Sequence, residues 1–188
     1  MNTQDRIIDV ATDCFFQHGY NATTISMISR YAKISRVTIH KYFQSKEIIF
    51  REVVKNYFDI RQENVKQYIE SNDEFWCLTN KLIKDRCRSI FENISSAIVR
   101  SDLVHAGNAF CRDLITEQKQ LVCLAIKEKL LTAIEKGEVT LKRLEINADE
   151  FAESIESITD GPIVSPLDET SMKQIDYMLD IYRAASMN

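Results

Sequence analysis

Between Thr24 and Lys46 the apolar residues keep helical spacing, slip phase once and resume it, the pattern of two short helices joined by a tight turn. The stretch reads T-I-S-M-I-S-R-Y-A-K-I-S-R-V-T-I-H-K-Y-F-Q-S-K. A first helix from about Thr24 to Ala32 turns Ile25 and Ile28 inward, and small Ser29 lets a second helix cross close over it. Ser35 stands where an N-cap is wanted, its hydroxyl able to accept from the free amides of the next turn. The second helix, roughly Arg36 to Phe43, then buries Ile39 and Phe43 and leaves Arg36, Thr38, His40 and Lys41 on its other face. Such a donor-rich face suits a helix laid in the major groove of DNA.

The 188 residues hold one large or two small domains, and four Gly and two Pro leave little turn chemistry for a sheet protein. The apolar spacing is helical almost throughout, so the expected class is all-α. The net charge of −4 argues against a nucleic-acid partner only until the chain is divided. Residues 1–50 carry six Lys/Arg against four acids, the remainder 18 against 24, and no acid falls between residues 30 and 46. The local field of the two-helix stretch therefore favours phosphate. Five cysteines, at 14, 77, 87, 111 and 123, form no C-x-x-C pair and no Cys/His spacing suited to zinc. Reduced thiols in a cytoplasmic protein are expected, with no metal or cofactor. No apolar run reaches the length of a membrane span. Enzyme chemistry finds no support either, because no Glu-x-x-His pair, Gly-rich phosphate loop or nucleophile with a base stands out.

Taken in order, the chain opens with a helix from about Thr3 to His18 that Gly19 is placed to end in a left-handed cap. Thr23 or Thr24 caps the next. After Gln44, Ser45 caps a long helix running to about Tyr68, and Lys46 at its N-terminus, poorly matched to the helix dipole, calls for an anionic partner such as a phosphate. A fifth apolar stripe runs from Phe75 to Ile98, a short or irregular passage at 100–108 ends at Gly107 and Asn108, and a seventh helix spans about Ala109 to Lys136, where Gly137 stops it. Asn147 or Asp149 starts another helix that D-G-P at 160–162 closes, and the last carries Met172, Ile175, Met178, Leu179, Tyr182 and Ala185. About nine helices result. The aromatic and thiol residues of helices four, five and seven converge on one interior, where a pocket for a mainly apolar small molecule is expected. Its candidate lining is Tyr57, Trp76, Ile83, Cys87 and Phe91, with His105, Phe110, Cys111 and Leu114. Arg86, if turned inward, needs a buried carboxylate or an acidic ligand.

The pattern T-x-x-x-I-x-x-x-A-x-I-S-x-x-T-I-x-x-Y-F-x-S-K-E, preceded by F-F-Q-H-G-Y-N-A-T-T, resembles the DNA-binding domain of the TetR family of one-component transcriptional regulators. The match is close over residues 5–50. Lys33 stands where the family usually has glycine in the turn, and His40 where it usually has tyrosine. The resemblance implies a three-helix helix-turn-helix domain at 1–46 and a helical ligand-binding and dimerisation domain at 47–188. It implies a regulator, most often a repressor, that binds a palindromic double-stranded DNA operator as a homodimer through its two C-terminal helices and is released by a small-molecule effector. Arg36, Thr38 and Lys41 are the expected base-edge contacts. Thr24, His40, Tyr42 and Lys46 are the expected phosphate contacts, with Ser35 at the cap between them. The alternative is a helical DNA-associated or protein-interaction module without a specific operator.

Overall fold

A computed structural model describes residues 2–91, 94, 96–163 and 169–187, with backbone alone at 89–91, 161–163 and 169–171. The described residues form nine α-helices: α1 Thr3–Ala22, α2 Ile25–Ala32, α3 Arg36–Tyr42, α4 Lys46–Glu70, α5 Phe75–Phe91, α6 Ala97–Phe110, α7 Arg112–Glu135, α8 Ala148–Ser157 and α9 Glu169–Ser186. A 3-10 turn at Ile158–Ile163 follows α8. No strand occurs among them, so the all-α expectation holds.

Local chemistry sets the helix ends. Thr24 Oγ1 accepts from the Met27 amide at 3.1 Å and Ser35 Oγ from the Thr38 amide at 3.0 Å. Asn147 and Glu150 form a reciprocal capping box at the start of α8. Gly137 closes α7 at φ +75°, its amide and that of Glu138 returning to the carbonyls of Ile134 and Ala133. Between α2 and α3, Lys33 adopts φ 54°, ψ 41°, the left-handed turn that glycine fills more cheaply.

Three expectations fail at helix boundaries. Gly19 does not end α1; at φ +82° it kinks a helix that resumes as far as Ala22. The fifth stripe does not run to Ile98, because α5 stops at Phe91 and Ile98 lies 82% exposed on α6. Gly107 and Asn108 lie inside α6. Gly107 is buried in helical geometry, and a Cβ there would stand 3.4 Å from Ile115 Cδ1, so it serves close packing instead of chain reversal.

The chain divides into two compact units, Met1–Ile60 with Asn93–Ile115, and Arg61–Glu92 with Thr116–Asn188. The first takes in the whole 1–46 segment and adds the start of α4, all of α6 and the first turn of α7. Its core joins Ile7, Phe15, Ile28, Ile39, Phe43 and Phe50 to Ala106 and Cys111. Arg51 on α4 grips Asp113 on α7 through two hydrogen bonds of 2.8 and 2.7 Å. That guanidinium holds the Asp113 carboxyl well below the usual carboxylate range. The second unit packs Trp76, Ile83, Cys87, Val122, Ile126, Leu130, Phe151, Ile155, Ile175 and Leu179 into one core. Helix α4 supplies residues to both units.

Candidate DNA interface and effector cleft

Burial of Ile39 and Phe43 fixes which way α3 faces. The remaining residues of the helix, Arg36, Val37, His40, Lys41 and Tyr42, are exposed, and Thr38 is half-buried. Two of the expected base contacts have partners within the domain. Arg36 Nη1 donates to Ser26 Oγ at 3.4 Å, and the Thr38 hydroxyl lies 2.8 Å from Ser35 Oγ. Both pairs are at the surface and weak enough to exchange for a ligand. Lys41, His40 and Tyr42 project without such ties, and Tyr42 is 48% exposed. Val37, 70% exposed, was not among the expected contacts. Its signal was there, since it is the one apolar residue of the segment out of phase with Ile39 and Phe43.

Lys46 departs from its expected role. Its ammonium donates to the carbonyls of Tyr20 at 2.9 Å and Thr23 at 3.1 Å and sits 4.1 Å from the centre of the Tyr20 ring. The partner that a lysine at a helix N-terminus calls for is thus internal: the carbonyls that end α1. Tyr20 in turn donates to Glu47 Oε1 at 3.0 Å; burial and then that bond raise the Tyr20 phenol, while hydrogen bonds from Ser45, from its own backbone amide and from Tyr20 lower the Glu47 carboxyl. This cluster ties the start of α4 to the helix-turn-helix and occupies two of the three Lys46 ammonium donors.

The nine expected ligand residues are shared between the two units. Tyr57, His105, Phe110, Cys111 and Leu114 belong to the first unit, and Trp76, Ile83 and Cys87 to the second. The Phe91 side chain lies outside the described residues. His105 is exposed, with Nδ1 2.7 Å from the Ser101 carbonyl. Phe110 packs its ring 5.1 Å from Tyr20. Cys111, Ile83 and Cys87 are fully buried core, and Trp76 is wedged edge-on between Phe75 and Phe151. Its indole N–H and the Gln118 amide are buried without a hydrogen-bond acceptor. A stripe of apolar side chains looks the same in sequence whether it lines a cavity or fills one.

A cleft of about 250 Å³ opens instead between the second half of α4 and α5, within the second unit. Its floor is Val65, Tyr68, Leu78 and Leu82; its rim carries Arg61, Lys81 and Arg86 with Asp73 and Asp85. Arg86 Nη2 reaches Glu156 Oε1 at 3.1 Å, so the inward arginine has found the internal carboxylate that its position required. Arg100 is likewise satisfied, donating to the Ile94 carbonyl at 2.9 Å. Cys77 on the cleft wall is exposed, whereas burial pushes the Cys87 and Cys111 thiols up to about 11. Iodoacetamide at neutral pH is therefore expected to label Cys77 first and to spare Cys87 and Cys111 until the chain unfolds, as peptide mass spectrometry of timed samples would show.

Residues 7–53 match the family model for bacterial regulatory proteins of the tetR family. This segment is a TetR-family DNA-binding domain. Among relatives of the chain, the transcriptional regulator QacR of Staphylococcus aureus is 32% identical over 81 residues, 43% of this chain and 40% of QacR. The regulator HbdR of Aromatoleum sp. is 29% identical over 170 residues, 87% of this chain and 61% of HbdR. The chain thus spans less than two thirds of either relative. Both are named as regulators of transcription, not as enzymes. In fold the likeness runs over nearly the whole chain: the Bacillus subtilis regulator FadR, solved in complex with stearoyl-CoA, superposes with a TM-score of 0.72 at 17% identity, covering 96% of this chain and 98% of that one. No helix among the described residues is long and apolar enough to cross a membrane.

Proposed function

We propose that this chain is a cytoplasmic ligand-responsive transcriptional regulator that binds a palindromic operator as a homodimer and represses until a small molecule releases it. The observation that carries the reading is the α3 face: donors turned outward, the core behind, and no acid between residues 14 and 46. Arg36, Thr38 and Lys41 are the base-edge candidates, and Thr24, His40 and Tyr42 the phosphate candidates. Lys46 positions α4 instead. Arg36→Ala is expected to broaden the set of sequences bound, because its guanidinium can address a guanine edge at a cost of roughly 1–3 kcal/mol when lost. Binding to a library of single-base operator variants measures this, and an unchanged preference at every position removes Arg36 from the assignment.

Of the two C-terminal helices expected at the dimer surface, α9 is the one that carries exposed apolar residues. Helix α8 turns Phe151, Ala152 and Ile155 inward and shows solvent Asp149, Glu150, Glu153 and Ser157. Helix α9 buries Ile175 and Leu179 yet also exposes Tyr177, Met178 and Ile181, at 64%, 43% and 68%. In the same unit α7 exposes Leu121, Leu124 and Leu131. Apolar side chains on a second face of a helix already packed into its core mark an interface. Ile181→Asp is expected to convert dimer to monomer by sedimentation equilibrium and to weaken operator binding, since a single helix-turn-helix reads too few base pairs.

The effector site of this reading is the α4–α5 cleft. At about 250 Å³ it lies below the range of roughly 300–1,000 Å³ typical of drug-sized ligands, which favours a compact effector over an acyl-CoA of the kind FadR holds. The rim offers both signs of charge, Arg61 and Lys81 beside Asp73 and Asp85, which favours a polar group on that molecule. Because α4 belongs to both units, binding beside its second half can bias the arrangement of the two α3 helices, which must match major grooves about 34 Å apart. Only a differential affinity of the effector for the two arrangements is required.

A further inference from the structure

Val37 stands apart from the donors that surround it. On a helix of roughly 100° per residue Val37 and Lys41 each lie about 200° from buried Ile39, so the two straddle the centre of the face pointing away from the domain, with His40 about 60° beyond Val37. Arg36 and Thr38 lie toward the flanks, where they meet Ser26 and Ser35. An isopropyl group, 70% exposed, therefore stands on the outward face of α3, in a segment with Arg30, Lys33, Arg36 and Lys41 and without any acid. Water is a poor neighbour for it in the free protein, and the cationic ring around it suits a polyanion.

We infer that Val37 reads thymine, packing its methyl groups on the C5-methyl of one thymine in each operator half-site. This rests on the operator reading proposed above. The C5-methyl of thymine is the apolar feature among the hydrogen-bonding edges that the major groove presents, so an apolar side chain at the centre of a recognition face discriminates for it and against cytosine and the purines. The β-branch helps. In a helix valine holds one strongly preferred χ1 rotamer, so little side-chain freedom is lost when the contact forms. Lys41, one turn further along, can then hold the adjoining edge or phosphate.

The test uses the full chain and the operator recovered by selection from random DNA. Each thymine of the half-site is replaced in turn by deoxyuridine, which removes the methyl and leaves the base pair intact. Wild-type protein is expected to lose about four-fold in affinity at one position per half-site, and about fifteen-fold when both half-sites are changed, the value of one buried methyl each time. Val37→Ala, at an exposed helical position where alanine is well tolerated, is expected to bind with no sensitivity to that substitution. Uniform indifference to deoxyuridine in the wild type overturns the inference while leaving the operator reading in place. So does a Val37→Ala protein that keeps the full uracil penalty. Failure to recover any operator overturns both, and the two failures are told apart by the selection step itself.

Discussion

Gly19→Ala is expected to destabilise the first unit by roughly 2–4 kcal/mol, a large change for an added methyl group. Two causes combine. The residue sits at φ +82°, where an L side chain costs about 1–2 kcal/mol. The new Cβ would also stand 2.4 Å from Asp102 Oδ2, so the carboxylate of α6 must move. That carboxylate accepts from the Asn21 backbone amide at 2.9 Å and from the Asn21 side chain, tying α6 to the last residues of α1, just past the kink. Displacing it strands those donors. Urea unfolding of the single variants and of Gly19→Ala in an Asp102→Ala background separates the causes, because only the clash disappears with the aspartate. A cost unchanged in that background would mean that backbone strain acts alone, and a cost below about 0.5 kcal/mol would contradict the packing described.

Glu156→Ala is expected to cost at least as much, about 3–5 kcal/mol, in the second unit. The side chain is 4% exposed and receives Arg86 at 3.1 Å, Lys119 at 3.8 Å and the Thr159 hydroxyl at 3.3 Å. Truncation removes the Glu156 carboxylate from Arg86, whose side chain is 17% exposed. Lys119 suffers less because Asp160 holds it at 2.6 Å. Glu156→Gln keeps an acceptor for Arg86 and Thr159 and should lose roughly half as much, since a charged partner makes a hydrogen bond about twice as strong. Equal midpoints for wild type and Glu156→Ala in denaturant titration would show that the pair is not a structural element. Arg86 also borders the cleft, so Glu156→Ala changes the charge that an effector meets.

The first three helices were legible because their signals are local. Thr24 and Ser35 announce caps, and one phase slip between Ile28 and Ile39 announces the turn, which Lys33 makes at left-handed geometry despite its Cβ. Gly137 and Asn147 marked their helix ends for the same reason. Gly107 misled, because a glycine packed against Ile115 inside a helix carries the same letter as one that reverses the chain. Lys46 was read as a cation seeking a partner, and the partners it meets, the carbonyls of Tyr20 and Thr23, lie 26 and 23 residues away and come close only through folding. The ligand site was the least legible part. Trp76, Ile83 and Cys87 filled the core that their spacing suited them for, while the cleft is lined by Arg61, Asn64, Gln67 and Lys81, polar residues that read as a solvated helix face. Hydrophobic periodicity reports which side of a helix is buried and says nothing of where packing stops short.

The most direct test of the account is selection of bound sequences from a random DNA pool by the full chain, with the winning sequence then titrated against salt. The account predicts a palindrome whose half-sites are centred about one helical turn apart, bound by a dimer, with affinity falling on the order of one unit of log slope for each phosphate contacted. A pool that yields no motif, with only weak binding that salt abolishes on every sequence alike, would contradict it.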